Sequence, residues 1–197
     1  MKRFSWLLVA ALAASPAAAE DKKKDDKKGK AAAAAPAAQA PVAQDAVKEA
    51  EAKLAAGDTD GALAVLDKAV AGDPAAALRL GTLRAARGEL DLAVDALKSA
   101  GERLTGPARG EALGRLAMVQ ESRGMADAGA NAEAALAADP EGVWPTIAMS
   151  HRLAHLGKAD EGIALARKAV AAGGGAAATT ALAHAQKAKG DLADAEA

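Results

Sequence analysis

The chain has 197 residues, 25 of them basic and 26 acidic, a formal net charge of −1, and aromatic side chains at only 2%. So balanced a charge and so few aromatics exclude a nucleic-acid binder, which needs a basic surface or a stacking platform. The lack of cysteine excludes a disulfide framework, thiol chemistry and a lipid-modified N-terminal cysteine.

Residues 1–19 read as a secretory leader. Met1-Lys2-Arg3 is a positive start, Phe4 to Ala14 an apolar run, and Ala17 and Ala19 supply the small-residue pattern a signal peptidase accepts. Cleavage after Ala19 is expected, which places the mature chain in the periplasm or outside the cell. The apolar run is too short to span a bilayer, so no transmembrane segment is expected after processing. Removing Lys2 and Arg3 leaves 23 basic against 26 acidic residues, and removing Phe4 and Trp6 leaves Trp144 as the one remaining aromatic. Residues 20–43 follow as a linker, first Lys and Asp, then Ala with Pro36 and Pro41. Neither half buries enough apolar area to offset the entropy of ordering it.

From about residue 44 the chain repeats itself. Glycines that each follow an apolar helical run stand at 57, 88, 124, 157 and 190, giving steps of 31, 36, 33 and 33. A period near 34 predicts stacked helical hairpins. In the first copy Gly57 stops one helix, Asp58 or Thr59 caps the next, and Ala62, Leu66 and Ala69 share one face. Asp73-Pro74 then starts the following unit, and Asp139-Pro140 reads as the same ending later in the chain.

These residues resemble the tetratricopeptide repeat family. Ala50, Gly57, Ala62-x3-Leu66, Ala69 and Pro74 follow its pattern, as do Gly81, Gly88, Ala93-x3-Leu97 and Ala100. Three further copies are carried by Ala117 and Gly124, by Ser150, Gly157 and Gly162, and by Ala183, Gly190 and Ala195. The resemblance implies an all-α solenoid of antiparallel hairpins, a TPR-like right-handed superhelix. Its units are expected over approximately 44–73, 74–107, 110–141, 143–175 and an incomplete 176–197. The family's usual aromatics are replaced by Leu or Ala. The core therefore rests on Leu63, Leu66, Leu80, Leu83, Leu97, Leu113, Leu116, Leu153, Ile163 and Leu182. The last unit has its first helix and Gly190 but under two turns of a second. The natural protein is therefore expected to continue past Ala197, or a partner to cover that end.

No catalytic constellation is present. There is no tyrosine and no Gly-x-Ser-x-Gly elbow, and Gly173-Gly174-Gly175 lacks a following Lys-Ser/Thr, so it reads as a flexible break. No enzyme activity and no cofactor are expected. What remains is surface recognition. The resemblance puts the first helix of each hairpin on a concave face, with Trp144, Ile147, His151 and His155 on one stripe of the fourth unit. His184 is the counterpart of His151 one 33-residue step later. These five form the candidate groove for a protein or peptide partner, with Trp144 as anchor. Arg79 and Arg115, equivalent in the second and third units, form a candidate basic rim. Arg87 and Arg123 are equivalent too, each one place before a helix-ending glycine, where a cation suits the helix dipole.

The expected function is an exported scaffold mediating protein–protein interaction in a bacterial cell envelope. The alternatives are a metal-binding module built on His151, His155 and His184, whose i, i+4 pair has the spacing of two zinc ligands, and a self-associating architectural subunit. Without cysteine, and with helices spaced roughly 8–10 Å apart, the metal alternative is the weaker and no metal ligands are assigned.

Overall fold

A computed structural model describes residues 41–190. The expected leader, most of the expected linker and the second helix of the last unit fall outside these residues. The described helices are α1 (Pro41–Ala55), α2 (Thr59–Ala69), α3 (Pro74–Ala86), α4 (Leu90–Arg103), α5 (Gly106–Ser122), α6 (Ala128–Ala138), α7 (Val143–His155), α8 (Ala159–Ala171) and α9 (Gly175–Lys189). No strand is found among the described residues. The fold is the all-α helical-hairpin solenoid that the repeats imply.

The five expected stops all act through backbone geometry. Gly57, Gly88, Gly124, Gly157 and Gly190 have φ between 66° and 93°, a region that costs any residue with a Cβ about 1 kcal/mol or more. Past Gly57 the Asp58 N–H turns back to the Lys53 carbonyl at 2.8 Å, and past Gly88 the Glu89 N–H bonds the Arg84 carbonyl at 2.9 Å. That six-to-one bond closes helix carbonyls that would otherwise lack donors. Asp58 is the cap of α2, its carboxylate accepting from the Gly61 N–H at 2.8 Å. Its bonds to Gly61 first, and then to Lys53, hold its pKa below the usual carboxylate value. Asp73 caps α3 through the Ala75 N–H at 2.8 Å, with Pro74 in the first turn, where no N–H is required.

Two boundaries and two local readings differ from the expected ones, while α7 begins at Val143, where the fourth unit is expected. Helix α1 begins at Pro41, inside the expected linker. Helix α5 starts at Gly106, a full turn before residue 110, because Gly106 takes φ 56° and Pro107 fits the first turn. Asp139-Pro140 does not start a helix. Instead, Asp139 ends α6, the Gly142 N–H closes a turn onto the Asp139 carbonyl at 3.2 Å, and α7 begins at Val143. The glycine triplet is not a simple break either. Gly173 stops α8 with φ 81°, and a Cβ on Gly174 would lie 2.7 Å from Ala178 Cβ and 2.8 Å from Val143 Cγ1. Close packing, rather than looseness, accounts for that glycine.

Each helix packs on the next, and α1 also meets α3, α3 meets α5, α5 meets α7 and α7 meets α9, whereas α2, α4, α6 and α8 do not pack along one another; at one end Arg103 of α4 donates to the Val70 and Ala71 carbonyls just past α2, at 2.8 and 3.1 Å. The odd helices therefore form the tight inner face and the even helices the splayed outer one. Alanine makes this possible by letting helices approach closely at no side-chain entropy cost. Ala62, Ala93, Ala100, Ala135, Ala166 and Ala181 are fully buried. Of the expected large core residues, Leu66, Leu80, Leu97, Leu113, Leu116, Leu153 and Ile163 are buried, while Leu63, Leu83 and Leu182 pack at the edges. The tightest places take the smallest residues: a Cβ on Gly81 would stand 2.6 Å from Leu97 Cγ. The equivalent approach of α7 to α8 pairs Ser150 with Gly162, the Ser150 hydroxyl donating to the Gly162 carbonyl at 2.8 Å.

A lateral strap recurs along the coil. Arg87 at the end of α3 pairs with Asp60 at the start of α2, Arg123 at the end of α5 with Asp91 on α4 at 2.7 Å, and Lys189 at the end of α9 with Asp160 on α8 at 3.3 Å. Each joins one unit to the next. Arg87 and Arg123 thus engage a neighbouring unit as well as sitting at a favourable helix end.

Candidate functional site

The five residues expected in one groove fall into three places. Ile147 is fully buried, packed with Ala166, Ala169, Ala178 and Ala181. It lies one place before Ala148 and three before Ser150, both also buried, so this side of α7 faces its neighbours and not solvent. Ile147 is a core residue and offers nothing to a partner.

Trp144, in the first turn of α7, packs across α5. Its ring lies under the Arg115 guanidinium, whose Cζ is 3.8 Å from the ring centroid. A cation held over an indole face gains about 0.5–2 kcal/mol, more as water is excluded. Arg115 is further fixed by its Nε, which donates to Glu111 at 2.8 Å one turn earlier. Burial lowers the Arg115 pKa, and Glu111 acts against that shift. Beside this pair opens an apolar groove of about 340 Å³, lined by Thr82, Ala85, Leu97, Met118, Val119 and Trp144 among others. It lies against the inner helices α3 and α5. Gly114 brings α5 and α7 together here, since a Cβ on it would stand 2.7 Å from the Trp144 carbonyl carbon.

The two expected rim arginines carry less free charge than the sequence suggests. Arg115 is engaged by Glu111 and Trp144. Arg79 lies 3.8 Å from Glu51 Oε1 on α1, and its buried Nε has no hydrogen-bond partner. Neither acidic neighbour stands out in the sequence. Glu111 is legible as an i, i+4 partner, but Glu51 becomes one only when α1 meets α3.

The three histidines do converge, at the opposite end of α7. The rings of His151 and His184 stack with centroids 4.5 Å apart and planes 17° from parallel, and His155 tilts against His184 at 5.0 Å. Glu121, at the end of α5, reaches both α7 histidines: Oε1 lies 2.8 Å from His155 Nε2 and Oε2 stands 3.8 Å from His151 Nδ1. Burial, then His184 and His155, pushes the His151 pKa down to about 4. Burial, then His155 and Lys187, lowers His184 as well. Burial raises Glu121 against the pull of His155 and Arg152. Sequence spacing finds the histidines but not Glu121, which belongs to the preceding unit.

The helix spacing that argues against a metal is no obstacle here, because the imidazoles touch. Ring orientation is the obstacle. Stacked rings direct their lone pairs in parallel planes, and among the described residues no set of three His, Cys, Asp or Glu side chains is arranged to hold an ion.

A second cavity of about 330 Å³ lies behind this cluster, between the α5–α6 turn and α7, walled by Ala117, Ala132 and Ala148. It opens where Ala132 occupies the place of Leu66 and Leu97 in the first two units. Among the described residues no helix is long and apolar enough to cross a membrane.

No family model and no curated protein matches the chain. Solved structures do. A thermophilic TPR protein of Thermus thermophilus superposes with a TM-score of 0.60 at 20% identity, covering 77% of this chain and 85% of that one. MamA 41-end from Desulfovibrio magneticus gives 0.56 at 21% identity, over 81% and 92%. YrrB, described as a TPR protein with an unusual peptide-binding site, gives 0.53 at 18% identity, over 78% and 80%. With five helix-stopping glycines, inner helices in mutual contact and these superpositions, the chain has the tetratricopeptide-repeat fold.

Proposed function

We propose that the chain is a non-enzymatic scaffold that binds a segment of another protein in the bacterial cell envelope. The observation that carries this is the groove beside Trp144: a large aromatic, held in place by Arg115, forms the wall of an apolar trough on the inner helices. Rigid aromatic and arginine side chains at the edge of an apolar cavity are the residue types that dominate binding energy at interfaces. A segment presenting one apolar side chain to Met118 and Val119, with polar groups toward Thr82 and Arg115, suits its lining. YrrB's peptide-binding site supports the reading by analogy of fold only.

The envelope location rests on the leader-like residues 1–19 and the small-residue pattern before Glu20. Intact-mass measurement of exported protein should give a chain beginning at Glu20, and recovery of the uncut chain from cytosol would overturn it. For the groove, a partner recovered from envelope extract is to be titrated against the purified chain. Trp144→Ala together with Arg115→Gln should weaken it at least about fivefold, roughly 1 kcal/mol, with helical circular dichroism retained. Unchanged affinity in the folded double variant would remove the groove from the proposal.

A further inference from the structure

We infer that His151, His155, His184 and Glu121 form an acid-operated latch, which holds α9 against α7 at neutral pH and loosens that contact as the imidazoles take up protons. The cluster spans the joint between the fourth and fifth units and is separate from the Trp144 groove. Neutral imidazoles stack as flat, weakly polar plates. Two imidazolium rings at a 4.5 Å centroid separation repel instead, and burial withholds the water that would screen them. The geometry makes no provision for the extra protons. His151 Nε2 and His184 Nδ1 are both buried without a hydrogen-bond partner.

The charged groups that act on the rings come from α5, α7 and α9. Helix α5 supplies Glu121, which contacts His155 at 2.8 Å and His151 at 3.8 Å. On α7 Arg152 acts on Glu121, and on α9 Lys187 acts on His184. From α8, Asp160 meets Lys189 at 3.3 Å, near the end of α9. A single carboxylate thus serves a cluster of three imidazoles, reaching His155 and His151 but not His184, and can balance only one added charge.

The direction of the pH effect follows from proton linkage. His151 drops from 6.5 to about 4 when docked, and His184 is lowered in the same sense. The loosened state therefore binds more protons, so the latch is fully held above about 6.5 and weakens as pH falls from there. Glu121 works the other way, because its pKa is raised in the docked state. It is one group against two, and it flattens the profile toward the acid end.

Hydrogen exchange on the full chain, from about pH 7.5 to 4.5 and corrected for intrinsic exchange, reads the latch directly. The opening equilibrium of α9 amides should rise by up to about tenfold per pH unit below 6.5, while α2–α4 stay level. An α9 profile that is flat, or that only parallels α2–α4, overturns the inference. His184→Phe keeps a flat ring and removes one of the two proton sites, so it should make the α9 profile shallower; a full slope in that variant overturns the inference too. Independently of any variant, the His151 ring signal in the folded chain should still be unprotonated at about pH 5.5. Titration of His151 near 6.5, its ordinary value, would refute the latch.

Discussion

The Cβ that Gly114 lacks would fall 2.7 Å from the carbonyl carbon of Trp144 and 2.8 Å from its oxygen and from Pro145 N. All three are backbone atoms, so no rotamer change can make room. Gly114→Ala should therefore push α5 and α7 apart. The substitution gains about 1 kcal/mol of helix propensity against roughly 1–3 kcal/mol of overpacking. We expect a net loss of up to about 2 kcal/mol in urea unfolding, accompanied by a shift in Trp144 emission. A stabilised variant with unchanged emission would contradict the close approach.

The junction between the first two hairpins depends on Asp73, which is 3% exposed. Its Oδ1 accepts from the Ala75 N–H, but its buried Oδ2 has no partner. Asp73→Ala should cost about 0.5–2 kcal/mol through the lost cap. Asp73→Ser keeps an acceptor and removes the orphaned oxygen, so it should recover most of that loss. If the two variants melt together, the cap contributes nothing.

Gly88 tests the helix stops. At φ 77° nothing lies within 4 Å of an added Cβ, so Gly88→Ala isolates backbone strain from packing. A loss of about 1–2 kcal/mol is expected, read as a fall in thermal midpoint of roughly 2–8 °C for a domain of this size. No change would mean the turn relaxes into another conformation.

Among the described residues, the strap between units is missing once. Asp127 stands where Asp60, Asp91 and Asp160 stand in their units, three residues past the stop glycine. Where the opposing helix should offer a cation it presents Leu156, 52% exposed. Leu156→Arg should supply the absent partner and stabilise by a few tenths of a kcal/mol, as exposed pairs do. The gain should vanish in about 1 M salt, and a gain that survives salt would point to removal of exposed apolar surface instead.

Local signals are legible in the sequence and long-range ones are not. Positive-φ glycines, the Asp73-Pro74 start and the small-residue faces act within a few residues, so period and chemistry disclose them. The 33-residue step brings His184 to His151 because the repeat itself carries that register. Ile147 misleads because the resemblance and the helical spacing from Trp144 put it on the concave face, whereas α7 is hemmed in by α5, α6, α8 and α9. Asp139-Pro140 misleads because two added residues, Glu141 and Gly142, delay the helix that Pro140 would otherwise open. Glu121 and Glu51 gain their roles only from the curvature that lays one unit's inner helix on the next.

That one absent strap has a mechanical consequence. Along this coil each inner helix packs on the next inner helix, whereas the outer helices do not pack along one another. Where the strap is missing, alanines also wall an empty space of about 330 Å³ between α6 and α7. Both features thin the same contact, that of α6 with α7. The third and fourth units are thus joined chiefly through α5, whose Gly114 lets α7 lie directly against it, and α7 bears Trp144 at one end and the histidines at the other.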